Sequence, residues 1–382
     1  MTPAARIAAA ADILDRILDG TPAEAALLRW SRASRFAGSG DRAALRDLVF
    51  GALRRRDSLA ALGGALTGRG LMIGHLRAEG LDPATVFTGQ AHAPAPLSDA
   101  ELSHEAPATL PDDLPDWLRP AWTNALGDDA AQIARAMTER APVWLRVNPV
   151  RATPDQAIDA LAEAGIEVAR TELLATALRI TANERKLAQS RAYKDGLVEL
   201  QDLSPQIACA LLPLNSGDKV LDFCAGGGGK SLALAAREPG AQLMAHDASA
   251  ARLSDLPARA ARAGASIRVV DDPRDKVDLV VADVPCSGSG TWRRGPDAKW
   301  RLTADDLQGL VETQARILDR VAGLVAPGGH LAYMTCSVLG AENDDQVAGF
   351  LQRHPQFTVV MRRLMTPLDA GDGFFLALMK CV

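Results

Sequence analysis

Val220-Leu221-Asp222-Phe223-Cys224-Ala225-Gly226-Gly227-Gly228-Gly229-Lys230 reads as a buried strand, a glycine turn and the start of a helix. Glycines let the backbone approach a ligand closely, and a helix N-terminus offers unpaired N–H groups. Working outward, strand and helix signals alternate from Lys219 onward. Strands are predicted at 219–223, 242–246, 267–270, 277–282, 330–334, 357–361 and 374–379, and helices at 230–237, 250–263, 303–325 and 341–353. Pro327-Gly328-Gly329 is a helix stop before the fifth strand. Alternation of this kind predicts an α/β fold with a mostly parallel, doubly wound sheet. Ligands bind beyond the carboxyl ends of such strands.

Two cysteine segments follow predicted strands directly: Asp283-Val284-Pro285-Cys286-Ser287-Gly288 after 277–282, and Thr335-Cys336-Ser337 after 330–334. Together with the glycine turn they are expected to face one crevice. The other cysteines, Cys209, Cys224 and Cys381, read as packing residues, and no C-x-x-C pair suggests zinc or a disulfide framework.

Upstream, residues 1–78 are rich in alanine and leucine at helical spacing and predict a bundle. Six prolines and seven acids fill 82–116 without a Lys or Arg, which suits a linker. Trp117, Leu118, Trp122 and Leu126 then resume a helical stripe. Strands at 143–147, 167–170 and 177–180, with a helix at 154–164, predict a small α+β module. The expected domains are therefore 1–140, 141–205 and 206–382.

A hydrophobic fraction of 48% and a charged fraction of 23% are those of an ordinary soluble protein. No apolar run approaches the ~20 residues of a membrane helix, and Asp12 and Asp15 interrupt the only candidate signal core. The expectation is a cytoplasmic protein without a membrane or metal partner. The net charge is −5, yet 29–56 carries eight arginines against Asp41 and Asp47. Such a block suits a polyanion, and equally a solvated helix face.

The turn does not complete a dinucleotide G-x-G-x-x-G, because the last position is Ser231. Asp247, at the end of the second strand, is placed for a ribose hydroxyl pair or for a helix N-cap. Either NAD or S-adenosylmethionine would fit. The two cysteines decide between them. Carbon 5 of cytosine is not nucleophilic until a thiolate adds to carbon 6, and a free thiol must be activated locally to do so. Asp283 could stabilise charge on the pyrimidine edge.

Residues 219–382 resemble the RNA 5-methylcytosine methyltransferases of the RsmB/Sun (NOP2/Sun) family. The resemblance rests on 220–230, 283–288, 335–337 and Asp372-Gly373-Phe374-Phe375. Leu145-Arg146-Val147-Asn148-Pro149, Gln201-Asp202-x-Ser204-x-Gln206 and the Arg-x-Pro-Asp-x-Lys-Trp run at 294–300 extend it. Residues 1–140 resemble the NusB-like helical RNA-binding domain of the bacterial ribosomal-RNA members, through Gly40-Asp41-Arg42 and 48–54.

The resemblance implies a Rossmann-like S-adenosylmethionine methyltransferase sheet, a small α+β module and an N-terminal all-α bundle. It implies that Cys336 is the nucleophile, that Cys286 assists release, that Asp283 contacts the cytosine, and that Lys230 sits at the cofactor–substrate junction. The backbone of Cys224, Ala225, Gly226, Gly227, Gly228, Gly229 and Lys230 would hold the methionine part of S-adenosylmethionine. Asp247 would take the ribose, and Asp271 or Asp272 the adenine side. The substrate it implies is ribosomal RNA, that of the small subunit first, with transfer RNA second and a monomeric enzyme expected. A non-catalytic RNA-binding or ribosome assembly factor is the alternative from another class. The candidate RNA contacts are Arg29, Arg32, Arg54, Arg55, Arg56, Arg293, Arg294 and Lys299, with Arg301 beside them and Trp292 and Trp300 interleaved as stacking faces or as core anchors. One departure is evident: the family turn usually reads C-A-A-P-G-G-K, and Gly226 and Gly227 replace Ala-Pro here. A second is the short stretch from Asp271 to Asp283, which leaves the choice between Asp271 and Asp272 open.

Overall fold

A computed structural model describes residues 1–382. The chain forms two compact units, Met1–Arg140 with Trp292–Thr303, and Ala141–Thr291 with Ala304–Val382.

In the first unit, helices Pro3–Leu18, Ala23–Ala33, Ser39–Arg54, Arg56–Gly63 and Gly68–Ala78 bury Ile13, Leu14, Leu45, Val49, Leu53 and Leu71. The proline-rich stretch 82–116 holds only short helical turns, Pro83–Thr85 and Asp99–Leu102. It is pinned rather than loose: Arg69 donates to the carbonyls of Ala95 and Pro96 and to Glu101. Segment Trp292–Thr303, separated from the rest of this unit in sequence, packs into it. Trp292 stacks on Trp122 at 6.1 Å between ring centroids, and the Trp300 indole donates to Leu53 O at 2.7 Å.

The second unit has two sheets. The smaller contains β1 (Val143–Val147), β2 (Glu167–Arg170), β3 (Ala177–Ala182) and β4 (Val198–Leu200), antiparallel in the order β2-β3-β1-β4. The larger contains β5 (Lys219–Asp222), β6 (Gln242–Ala245), β7 (Ile267–Val269), β8 (Val277–Asp283), β9 (Val325–Thr335), β10 (Phe357–Met365) and β11 (Phe374–Cys381). Its order is β10-β11-β9-β8-β5-β6-β7, with β5 to β9 parallel and β11 running antiparallel to both of its neighbours. This is a Rossmann-like sheet. Side chains alternate between two cores. Val220, Leu279, Val281, Ala332 and Met334 fill one, and Leu221, Val280, Ala282, Leu331 and Tyr333 fill the other. Both faces are therefore buried, which is why these strands read as unbroken apolar runs.

Three sequence expectations are corrected. The helix predicted at 250–263 breaks into a turn at Ala250–Leu253 and a helix at Leu256–Ala263, because Pro257 is tolerated only in a first helical turn. The helix predicted at 303–325 spans Ala304–Ala322. Pro327-Gly328-Gly329 lies inside β9 and is not a helix stop: pairing with β8 jumps from Val325 to His330, and Gly328 has φ +78°.

Candidate active site

The strand order reverses at β5. The chain runs from β5 out to β6 and β7, then crosses back to place β8 on the other side of β5. A crevice opens at such a reversal, beyond the carboxyl ends of the strands. Here β5 delivers the glycine turn and β8 delivers Asp283. Lys230, in the first turn of helix Gly229–Arg237, spans the crevice and forms an ion pair with Asp283. Burial disfavours its ammonium, but the charge and hydrogen bond of Asp283 outweigh that, so Lys230 titrates above its ordinary value. The ammonium also lies 5.4 Å from the centre of the Phe374 ring.

The turn itself is shaped by left-handed backbone. Gly226 has φ +50° and Gly228 φ +77°, and a Cβ at Gly228 would lie 2.2 Å from Leu256 Cδ1. Gly228→Ala is therefore expected to cost about 1–3 kcal/mol for the strained backbone alone, with the clash added. A thermal melt of the variant checks this.

Carboxylates surround the turn. Asp222 is fully buried, and burial pushes its pKa up to about 6 although Ser231 donates to it through N–H and hydroxyl. Its other oxygen has no partner. Asp247 accepts from Gly226 N at 2.9 Å and Ser249 N at 3.0 Å, and pairs with Arg252 at 3.3 Å. Burial first, then the charges of Asp222, Asp283 and Asp247, push the Cys224 thiol up to about 12. A site this hostile to an added anion suits a ligand carrying positive charge. Arg146 and Gln201, from the small sheet and the residue after β4, both donate to Gly229 O. The two motifs quoted around them thus support the start of helix Gly229–Arg237.

Beyond β8 and β9 the two thiols meet, with Cys286 Sγ and Cys336 Sγ 3.3 Å apart. Either sulfur can donate in this contact, and the surroundings favour Cys286 as the donor. That bond holds Cys336 below its ordinary value, and Lys230 adds in the same direction against burial and Asp283. The same bond, with burial and the charges of Cys336 and Glu342, pushes Cys286 well up. One thiol is prepared to ionise and its neighbour to keep its proton. Alkylation of Cys336 by iodoacetamide is accordingly expected to follow a pH midpoint below that of an ordinary thiol. Since the thiolate is the reactive form, Cys286→Ala should move that midpoint upward by removing the donor.

Hydroxyls and backbone fix the two loops. Ser289 Oγ and Ser337 Oγ are 2.9 Å apart, and Gly290 N donates to Cys336 O at 3.0 Å. Gly373 N donates to Gly290 O at 2.8 Å, and a Cβ on Gly290 would lie 2.2 Å from Gly373 O. Asp372 is held in turn, since its N–H donates to Asp202 and its carbonyl accepts from Ser204 Oγ.

Residues 209–379 match the family model described as 16S rRNA methyltransferase RsmB/F, and 114–185 match that of the ferredoxin-like domain of RsmF/B-like methyltransferases. The chain belongs to the RsmB/Sun family. It is 34% identical over 282 residues to ribosomal RNA small subunit methyltransferase B of Klebsiella pneumoniae, a match covering 69% of this chain and 65% of that protein. The namesake from Xanthomonas campestris is 36% identical over 250 residues, covering 63% and 57%. The chain thus spans less than two thirds of the length of these relatives. The crystal structure of PH0851 superposes with a TM-score of 0.78 at 22% identity and 99% coverage of both chains. That of NSun6 from Pyrococcus horikoshii, determined with SFG, gives 0.62 at 16% identity, covering 70% of this chain and 98% of that one.

As an RsmB/Sun member the chain places its expected site residues unequally. Lys230, Asp283, Cys286 and Cys336 converge, as do 224–229 with Asp247. Asp271 and Asp272 follow β7 and are exposed, and Asp272 is engaged by Arg274 and Arg320. Asp271 carries no such ion pair. Among the cations, Arg29, Arg32 and Arg294 are exposed, and Arg55 and Arg56 half-buried, with Arg56 lying over the Trp300 ring. Arg54, Arg293 and Lys299 are buried. Lys299 donates to Asp113 O at 2.5 Å and Arg54 O at 3.3 Å, and burial lowers its pKa to about 8. Arg54 donates to Arg293 O at 2.6 Å. Trp292 and Trp300 anchor the segment that carries them. Sequence reasoning missed Glu342, which is fully buried between the cysteine loops. In Gly340-Ala341-Glu342-Asn343-Asp344 it reads as one more acid ahead of a helix.

Proposed function

We propose that this protein methylates carbon 5 of a cytosine in small-subunit ribosomal RNA in the cytoplasm, using S-adenosylmethionine and a covalent link through Cys336. What carries the proposal is the Cys286–Cys336 contact of 3.3 Å at the reversal where Lys230 meets Asp283. S-adenosylmethionine, when bound, supplies an electrophilic methyl group on a sulfonium centre. The electronegative glycine turn formed by 224–230, with Asp222 and Asp247, fits that charge, and Asp271 or Asp272 would serve the adenine side.

Cys336 Sγ, ionised with help from the Cys286 donor and Lys230, adds to carbon 6. The electron pair displaced from the ring double bond makes carbon 5 nucleophilic, and Asp283 holds the ring edge. After the methyl transfer a base removes the carbon 5 proton. The double bond then reforms as Cys336 leaves as a thiolate, which Cys286 is placed to receive with a hydrogen bond. The target base must be out of its stack to reach these thiols. The helical unit, read as NusB-like, would hold the RNA through exposed cations such as Arg29, Arg32 and Arg294.

The test is transfer of labelled methyl from S-adenosylmethionine to small-subunit ribosomal RNA, with nucleoside analysis for 5-methylcytosine. Label in 5-methylcytosine is the expected result. Tight RNA binding without transfer would overturn the proposal in favour of a non-catalytic assembly factor, and label confined to transfer RNA would reassign the substrate.

A further inference from the structure

Glu342 has no part in the chemistry above, yet its carboxylate is wholly buried and no cation is paired with it. Taking an unpaired carboxylate out of water costs several kcal/mol unless hydrogen bonds compensate. Three donors do so. Ser287 N donates to Oε1 at 2.8 Å, Ser287 Oγ to Oε2 at 2.5 Å, and Gln314 Nε2 to Oε1 at 2.9 Å. Two of the three come from the residue that follows Cys286. Gln314 also donates to Pro285 O at 2.9 Å, on the other side of Cys286. On the far side Glu342 is itself fixed, because its carbonyl accepts from Tyr333 OH at 2.6 Å, and Asn343 next to it bonds Thr335 Oγ1 and Ser337 O, the two neighbours of Cys336.

The chain therefore carries a clamp in which the residues flanking one cysteine are tied, through Glu342, to the residues flanking the other. A carboxylate suits this place because it only accepts, and its hydrogen bonds are stronger than neutral ones. We propose that Glu342 is a positioning residue for the release step, holding Cys286 in hydrogen-bonding register with Cys336 through Ser287. This inference rests on the covalent route proposed above. Its specific consequence is that loss of the clamp frees the Cys286 loop while Cys336, supported by its own strand and by Asn343, can still attack.

The experiment compares wild type, Cys286→Ala, Glu342→Ala, Glu342→Gln and Ser287→Ala for methyl turnover and for an RNA–protein band that survives denaturation, with a thermal melt of each. Glu342→Ala is expected to lose turnover on the order of 10²-fold, the penalty of a misplaced reacting group, and to accumulate the band as Cys286→Ala does. Ser287→Ala should accumulate it to a lesser extent. Glu342→Gln can keep all three contacts by donating to Ser287 Oγ instead of accepting, and should stay within a few-fold of wild type. A purely structural role would lower turnover without accumulating adduct.

Folded Glu342→Ala and Ser287→Ala without a band, beside a Cys286→Ala that has one, would overturn the positioning role alone. Glu342→Gln as impaired as Glu342→Ala would also overturn it, since charge and not contact would then matter. No band from Cys286→Ala would remove Cys286 from the release step and this inference with it, and no band from any variant would overturn the covalent route. Should Glu342→Ala fail to fold, Ser287→Ala decides.

Discussion

Cys336→Ala is expected to lower methyl transfer by a factor on the order of 10³ or more, because removing a covalent nucleophile removes the route itself. No neighbour can substitute. Cys286 lies 3.3 Å away, but even without Cys336 its burial and the charge of Glu342 favour the protonated thiol. Cys224 is pushed up to about 12 and is no better a source of thiolate. The variant should still bind RNA and keep its melting temperature within a few degrees, since a half-buried thiol is a small loss of packing. Single-turnover transfer of labelled methyl, with RNA retention measured in parallel, checks both parts. Residual transfer near the wild-type rate would move the nucleophile elsewhere.

Cys286→Ala should produce the opposite phenotype, an enzyme stalled on its substrate. The hydrogen bond from Cys286 lowers the Cys336 thiol, so removing Cys286 raises the pKa of the attacking sulfur. A thiol of higher pKa is ionised less often, but once ionised it is the stronger nucleophile and the poorer leaving group. Attack is therefore slowed modestly while elimination is slowed more, and the protein–RNA link builds up between them. On a denaturing gel this appears as a shifted band that requires both S-adenosylmethionine and RNA, and turnover falls to the rate of unaided release. A band from Cys336→Ala with none from Cys286→Ala would exchange the two roles.

Much of this site can be read from local sequence, and the reason is physical. Strands buried on both faces announce themselves as apolar runs, and β5, β8 and β9 are of that kind. The reactive groups then fall at the ends of those runs, where Asp283, Cys286 and Cys336 lie within a few residues of a strand terminus. The glycine turn is equally local, since positive φ at Gly226 and Gly228 leaves a mark in composition.

What local sequence hides is burial imposed from far away. Lys299 looks like a cation beside tryptophans on a nucleic-acid surface, but its ammonium is enclosed by carbonyls of Arg54 and Asp113, both distant in the chain. Glu342 shows the converse. An acid in a polar run gives no sign that Ser287 and Gln314 will close over it. Pro257 is legible in the sequence, but alanine and arginine at helical spacing on both sides of it give a continuous helical pattern across a residue that sits only in a first helical turn.

The position of β11 bears on how the protein is made. It is the last strand of the large sheet to leave the ribosome, yet it pairs with β9 along Phe375–Thr335, and the residue before it, Gly373, ties down the loop bearing Gly290. During synthesis, then, both cysteines precede the strand that seats them. A nascent chain halted before Phe374 would carry two unseated thiols and no assembled centre.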